Sequence, residues 1–528
     1  MTVAATFCAT LADEWVRAGI THAVIAPGSR STPIALALAE REEISVRVVL
    51  DERSAGFVAL GLGMATGVPA VVVTTSGTAV AELLPAVVEA HHARVPLVVV
   101  SADRPWESLA VRAPQTIDQP ALFRGLTRFS ADPGVPDDAA RHAWRSLASR
   151  AAVDAQHHPL GPGPVHLNLA FREPLLGTAD GLPSSRAAGA PWHSFDSAPV
   201  GLSPLPVDGA RGLVVAGAGS PSAGALHALG WPVLADPRSH ARVDHPLTVA
   251  AADELLRVAG FADAHVPDTV LHVGEPWASR VLNEWLAASG AHHIVVDPHG
   301  VWPDPNRVAG KLVRGPVAPV AKTPPDQAWV ESWRNAERAA QRAIDAVLCL
   351  DDHVMSEPAF VRRLVRDLPD GTTLFVASSM PIRHVEWLGA PRTGLRVVAN
   401  RGANGIDGLI STATGLALGG AAPVVALLGD LAFLHDIGGL RAAAGVEGLR
   451  YLVVDNGGGA IFEFLPQAEQ LDADVFERLF TTPHGLDVAA LATGAPGVDI
   501  EVVRTNSAAS VAAYRAIHSA VARELPTT

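Results

Sequence analysis

The chain has 528 residues, 48% of them hydrophobic and 18% charged, with a formal net charge of −14. That length exceeds what one hydrophobic core supports and calls for two to four domains. The scattered acidity excludes a nucleic-acid footprint. The two cysteines, Cys8 and Cys349, stand far apart and form no CxxC pair, which excludes a thiolate metal site and points to a reducing compartment. In chain order, residues 5–19 predict a helix, 21–27 a strand and 28–42 a helix. A strand follows over 46–52, a helix over 54–67 and a strand over 69–76. Residues 77–93 predict a helix, and 95–105 and 162–174 close the unit with strands. This alternation predicts a doubly wound parallel sheet covered on both faces. Residues 177–208, rich in Pro, Ser, Gly and Ala, read as a linker. A second α/β block runs through 212–220, 231–237, 268–286 and 292–298, with a joint at 315–328. A third runs from 357 to 466. The fold class is therefore α/β, with three parallel-sheet domains over 1–180, 181–340 and 341–528. The uncharged stretch from Gly408 to Gly429 is broken by glycines and Pro423, so it reads as a helix and a strand rather than a membrane span. The first residues have neither a basic start nor an apolar core, so no signal peptide is expected and the location is cytoplasmic.

The sequence GDLAFLHD follows the apolar run 423–428, so Asp430 stands where a buried strand ends. In open α/β sheets ligands bind at that edge. Asn456 follows 26 residues later, after one helix and one strand, and opens the run Gly457–Gly458–Gly459. A carboxylate, an amide oxygen and a glycine carbonyl make an all-oxygen ligand set that suits Mg²⁺ completed by phosphate oxygens. The bland alternative, a helix cap and a turn, accounts for either residue singly but not for the pair at this spacing. Gly56, Gly61 and Gly63 weaken the helix that holds them, which points to close packing of helix on helix or on a ligand. The 21 histidines are expected to be structural or polar-lining. GLVVAGAGS carries a bare GxG with no acidic partner for a ribose, a weak nucleotide signal.

GDLAFLHD followed by DNGGGAIFEFLP resembles the metal and diphosphate motif of thiamine diphosphate enzymes. IAPGSRSTP, DERSAGFVALG, TTSGTAVAELLPAVVEA, SADRP and NRGANGIDGLISTATG narrow the resemblance to the 2-succinyl-5-enolpyruvyl-6-hydroxy-3-cyclohexene-1-carboxylate synthases of menaquinone biosynthesis. The resemblance implies a pyrimidine-binding first domain, a central domain and a diphosphate-binding third domain. Thiamine diphosphate and Mg²⁺ or Mn²⁺ are the implied cofactors, with Asp430, Asn456 and Gly458 as metal ligands. Glu52 is implied to hydrogen-bond the aminopyrimidine and favour its imino form, and Ile406 to bend the cofactor. Decarboxylation of 2-oxoglutarate and addition to isochorismate follow as the implied reaction. Ser379, Arg383 and Arg401 fall to the 2-oxoglutarate side and Ser29, Arg30, Arg104 and Gln115 to isochorismate, with catalysis resting on Glu52, Arg383 and Arg401. Ile461, Phe462 and Leu465 are expected to wall the site, and Arg280 to stand where a substrate-side lysine is common. Pro114, Arg280 and the triple glycine depart from the family pattern. Another carboligase or 2-oxo acid decarboxylase is the nearest alternative; it calls for an apolar acceptor pocket rather than several arginines. The superfamily pattern further implies a homodimer or homotetramer with active sites between subunits, and no nucleic-acid partner.

Overall fold

The computed structural model describes residues 1–195, 201–349 and 356–525. Three principal sheets, all parallel, confirm the α/β expectation. The first comprises β1 (His22–Ile25), β2 (Ser45–Val48), β3 (Ala70–Thr74), β4 (Leu97–Asp103), β5 (Phe129–Gly134) and β6 (Pro164–Ala170), in the order β2-β1-β3-β4-β6-β5. The middle part has a small parallel pair, β7 (Ser203–Val207) and β14 (Val317–Ala321), beside a larger sheet. That sheet holds β8 (Gly212–Ala216), β9 (Val233–Ala235), β10 (Thr248–Val249), β11 (Thr269–Val273), β12 (His292–Asp297) and β13 (Ala309–Arg314), ordered β10-β9-β8-β11-β12-β13. The third comprises β15 (Thr373–Val376), β16 (Arg396–Val398), β17 (Val424–Gly429), β18 (Leu449–Asp455) and β19 (Asp499–Arg504), ordered β16-β15-β17-β18-β19.

Because side chains alternate along a strand, each sheet feeds two cores. Val71, Val73, Val98 and Val100 pack under the helices Val3–Arg17 and Trp144–His157. Val72, Leu97 and Val99 face the helices Glu52–Thr66 and Leu84–His92 on the other side. The third sheet repeats this, with Phe375, Ala426 and Val453 on one face and Leu374, Leu427 and Leu452 on the other.

Several elements depart from the sequence expectation. The helix expected over 77–93 breaks into Thr78–Ala81 and Leu84–His92, with Pro85 in the opening turn of the second piece. β7 lies inside the expected linker and β14 inside the expected joint; their prolines disguise a two-stranded edge. The edge strand β5 and the 23-residue helix Gln327–Cys349 were not anticipated. That helix runs through residue 340 and packs Trp329, Trp333, Ala340 and Ile344 into one core with Leu213 and Val270 of the middle sheet and Tyr514 and Ile517 of the helix Ser507–Glu524.

The first and third sheets are joined through helices. A Cβ placed on Gly61 would lie 2.1 Å from the Thr412 carbonyl oxygen, and one on Gly415 2.1 Å from that of Val58, so the helices Glu52–Thr66 and Leu409–Leu416 touch backbone to backbone. Beside this contact Asp436 accepts from the Ser411 N–H at 2.8 Å and from the Ser54 hydroxyl at 3.4 Å, with the Arg53 guanidinium 3.8 Å away. Burial pushes the Asp436 carboxyl up to about 6, against the pull of the Ser411 N–H. A folded-state pKa above the unfolded value means that folding takes up a proton, so this group's contribution falls as pH rises from about 4 to about 6 and is flat above. Asp436→Asn, which removes the titration, is therefore expected to gain stability relative to the wild type across that window. The relative gain should total about 3 kcal/mol, measurable as a pH series of urea midpoints.

Candidate active site

Parallel strands send their carboxyl ends to one edge, and the residues singled out above follow strand by strand. After β1 come Gly28, Ser29 and Arg30; after β2, Asp51 and Glu52; after β3, Thr75 and Ser76; after β4, Arg104. With Gln115 these line one cavity of about 660 Å³. Glu52 opens the helix Glu52–Thr66, and its half-buried carboxylate makes no hydrogen bond or ion pair among the described residues. Its neighbour Asp51 is the helix cap, accepting from the Ser54 N–H at 2.9 Å. Arg30 donates to the Phe171 carbonyl at 3.0 Å and lies 3.4 Å from the Glu173 carboxylate. Gln115, at φ 60°, donates to the Ser76 carbonyl at 3.1 Å. The buried Nε of Arg104 has no hydrogen-bond partner among the described residues, a group that a ligand in the cavity would satisfy.

At the third sheet, β15 leads to Ser379, at φ 71°, and to Arg383 on the helix Met380–Leu388; the Arg383 guanidinium donates back to the Ser379 carbonyl at 2.7 Å. β16 leads to Arg401, whose half-buried guanidinium makes no hydrogen bond among the described residues. Burial foremost, then the charges of Arg238 and Arg383, hold Arg401 below its ordinary range; burial lowers Arg383 likewise. Two mutually repelling, desolvated guanidiniums at a strand edge are relieved by an anion.

Glu89 fixes the loop beyond Arg401. This buried carboxylate, on the helix Leu84–His92, accepts from the N–H groups of Gly402, Ala403 and Asn404 at 2.9, 2.6 and 2.8 Å. The same loop carries Ile406, half-buried against the Leu409 core. The sequence reading missed Glu89; its signal was a lone carboxylate within the apolar run LLPAVVEA.

β17 and β18 bring Asp430 and Asn456 together. Asp430 is buried, and its Oδ2 accepts from the N–H groups of Asn456, Gly457 and Gly458 at 3.2, 2.8 and 3.0 Å. Gly458 thus presents its N–H to Asp430, while its carbonyl accepts from Ala460 at 3.1 Å. Burial raises the Asp430 carboxyl, and the Leu431 N–H is the first force opposing it. Two ligand-capable residues beyond the sequence reading complete the cluster. His484 Nε2 lies 3.4 Å from Asp430 and 3.8 Å from Asp455, and ligand atoms of the three residues fall within 4.8 Å of one another. Two carboxylates, an imidazole and the Asn456 amide make a donor set that fits a small divalent cation sharing phosphate oxygens.

Ile461, Phe462 and Leu465 occupy the turn that follows. Ile461 packs on the Trp333 core, the Phe462 ring stands 5.5 Å from that of Phe480, and Leu465 is partly exposed. Arg280 is not brought to either group. It sits 80% exposed on the helix Arg280–Ala288, paired with Glu284 at 2.7 Å.

Comparison with known proteins identifies the family. Residues 1–122 match the family described as thiamine pyrophosphate enzyme, N-terminal TPP binding domain, and residues 207–376 match the middle domain of thiamine pyrophosphate. The chain is 42% identical to the 2-succinyl-5-enolpyruvyl-6-hydroxy-3-cyclohexene-1-carboxylate synthase of Thermobifida fusca over 97% of this chain and 98% of that one. It is 41% identical to the synthase of the same name from Myxococcus xanthus, over 91% and 87% respectively. The crystal structure of benzoylformate decarboxylase from Polynucleobacter necessarius shares the fold at a TM-score of 0.65 and 17% identity, covering 95% of this chain and 98% of that one. With near full-length identity above two fifths and the strand-end residues of the motif in place, the chain belongs to the 2-succinyl-5-enolpyruvyl-6-hydroxy-3-cyclohexene-1-carboxylate synthase family of thiamine diphosphate enzymes.

Proposed function

We propose that the protein decarboxylates 2-oxoglutarate and adds the remaining four-carbon unit, in a 1,4 sense, to isochorismate, as a step of menaquinone biosynthesis. The observation that carries this reading is the set of guanidiniums following strand carboxyl ends, with Arg401 and the Arg104 Nε left without a hydrogen-bond partner among the described residues. Both substrates are dicarboxylates, and such an edge is built for them. Thiamine diphosphate, held with a divalent cation, supplies the electron sink for loss of CO₂. Asp430, Asn456 and the Gly458 carbonyl, with Asp455 and His484 beside them, are the groups of this chain suited to hold that cation, Mg²⁺ or Mn²⁺. Glu52 holds a proton against the cofactor's pyrimidine ring from the helix N-terminus. Arg383 and Arg401 grip 2-oxoglutarate; Ser29, Arg30, Arg104 and Gln115 orient isochorismate. Ile461 and Phe462 keep water from the departing carboxylate.

Three domains divide the work, over 1–180, 181–340 and 341–528, with the helix Gln327–Cys349 crossing the second boundary. The residues that line the Glu52 cavity all fall between Pro27 and Gln115, in the first domain, which supports a complete site built from two chains in a homodimer or homotetramer. Among the described residues no helix is long and apolar enough to cross a membrane, and we place the enzyme in the cytoplasm.

The test is isochorismate consumption followed by absorbance, with 2-oxoglutarate, thiamine diphosphate and Mg²⁺ each omitted in turn. Turnover that needs all of them sustains the reading; CO₂ release without isochorismate loss would instead assign another decarboxylase. Arg383→Lys is expected to raise KM for 2-oxoglutarate about 10- to 100-fold, because a point charge replaces a planar fork. KM for isochorismate should stay within about twofold, and separate titrations of the two substrates check the split.

A further inference from the structure

We propose that Glu357 is a positioning residue for the metal centre, locking the Asn456 amide so that its oxygen faces Asp430. This rests on the reading of Asn456 as a metal-side residue. Glu357 lies in the first turn of the helix Glu357–Asp367 and is buried, as are His384 and Tyr514. One carboxylate oxygen of Glu357 accepts from the Asn456 amide nitrogen at 2.7 Å and from the Thr505 hydroxyl at 3.4 Å. The other faces His384 Nε2 at 2.7 Å, and His384 Nδ1 in turn meets the Tyr514 hydroxyl.

The consequence is one of hydrogen-bond logic. An ionised carboxylate only accepts, so the group that Asn456 turns toward Glu357 must be its NH₂. The amide oxygen is thereby fixed on the opposite side, where it accepts from the Gly458 N–H at 3.1 Å beside the Asp430 cluster. Without Glu357 the amide is free to rotate and can offer a cation its nitrogen, which is no ligand. His384 and Tyr514 hold the carboxylate in turn, and His384 directly follows Arg383 on the helix Met380–Leu388. The chain Asn456–Glu357–His384 therefore ties the metal centre to the helix that carries an expected substrate arginine. Partners of this kind, behind the ligands themselves, usually govern metal affinity by one to two orders of magnitude.

The experiment is Mn²⁺ binding by electron paramagnetic resonance at saturating thiamine diphosphate, on the full-length protein. The set is wild type, Asp430→Ala, Glu357→Gln, Glu357→Leu and Tyr514→Phe, each checked for fold by circular dichroism. Glu357→Leu is expected to weaken Mn²⁺ about 10- to 100-fold. Glu357→Gln should weaken it less, since its amide oxygen still accepts from Asn456 once His384 changes tautomer. Tyr514→Phe should have the smallest effect. Glu357→Gln keeps the shape of the native side chain and so remains decisive if the leucine variant fails to fold. Wild-type Mn²⁺ affinity in both Glu357 variants, with Asp430→Ala impaired, would overturn the positioning role alone. Unchanged affinity in Asp430→Ala would overturn the metal centre and the positioning role with it.

Discussion

Glu52→Gln is expected to lower kcat by about two to four orders of magnitude, the range for loss of a positioned acid–base group. The substitution is nearly isosteric and leaves an oxygen that can accept a hydrogen bond. What it removes is the ability to hold and return a proton. The native carboxylate stands at the mouth of a helix, in a cavity of about 660 Å³, with no hydrogen-bonding partner among the described residues. A structural acid is normally engaged; this one is kept available. Asp51 provides the internal contrast, because it caps the same helix through the Ser54 N–H. Asp51→Asn should cost under about 1 kcal/mol of stability, asparagine being as good a cap as aspartate, and should leave kcat within a few-fold. Steady-state rates for both variants, with cofactor affinity by calorimetry, check the pair. A Glu52→Gln enzyme within tenfold of the wild type would remove Glu52 from the chemistry.

The difference between these adjacent acids was legible in the sequence only through the motif around them. Physical pattern alone gave the sheets, because parallel strands buried on both faces leave runs such as AVVVT and LVVVSAD that nothing else explains. It gave the strand-end positions of Asp430 and Asn456 for the same reason, whereas Arg383 and Arg401 came from the motif resemblance. It did not reveal β5, whose exposed edge residues blur the alternation, or β7 and β14, which carry prolines. Nor did it reveal Glu89, Glu357 and His484. Each is a polar residue whose role depends on a neighbour 50 to over 300 positions away: Glu89 with Asn404, Glu357 with Asn456, His484 with Asp430. A lone carboxylate or imidazole reads as surface until the fold delivers its partner. Arg280, promoted by motif position, stands exposed beside Glu284 in the single chain. The glycines of the helix Glu52–Thr66 lie between these cases. Their clustering signalled close packing, but whether against a helix or a ligand only the fold decides.

Gly61 answers for the helix. Gly61→Ala is expected to destabilise the protein by about 3 kcal/mol or more, at the upper end for overpacking a rigid contact. The added methyl would meet the Thr412 carbonyl oxygen at 2.1 Å, the Gly415 Cα at 2.9 Å and the Leu416 nitrogen at 2.9 Å. All are backbone atoms inside a helix, so no rotamer change relieves the clash. The helices must separate by about an ångström, and the dispersion contacts along their length weaken together. The same separation would shift Glu52, at the start of this helix, relative to Asp436 and His435, which its neighbours Ser54 and Arg53 contact. Activity should therefore fall along with stability. Gly405→Ala is the matched control, since its new methyl would meet nothing closer than 3.6 Å. Thermal melting of the three proteins decides the matter: a Gly61→Ala midpoint equal to that of Gly405→Ala would mean that the two helices do not touch as described.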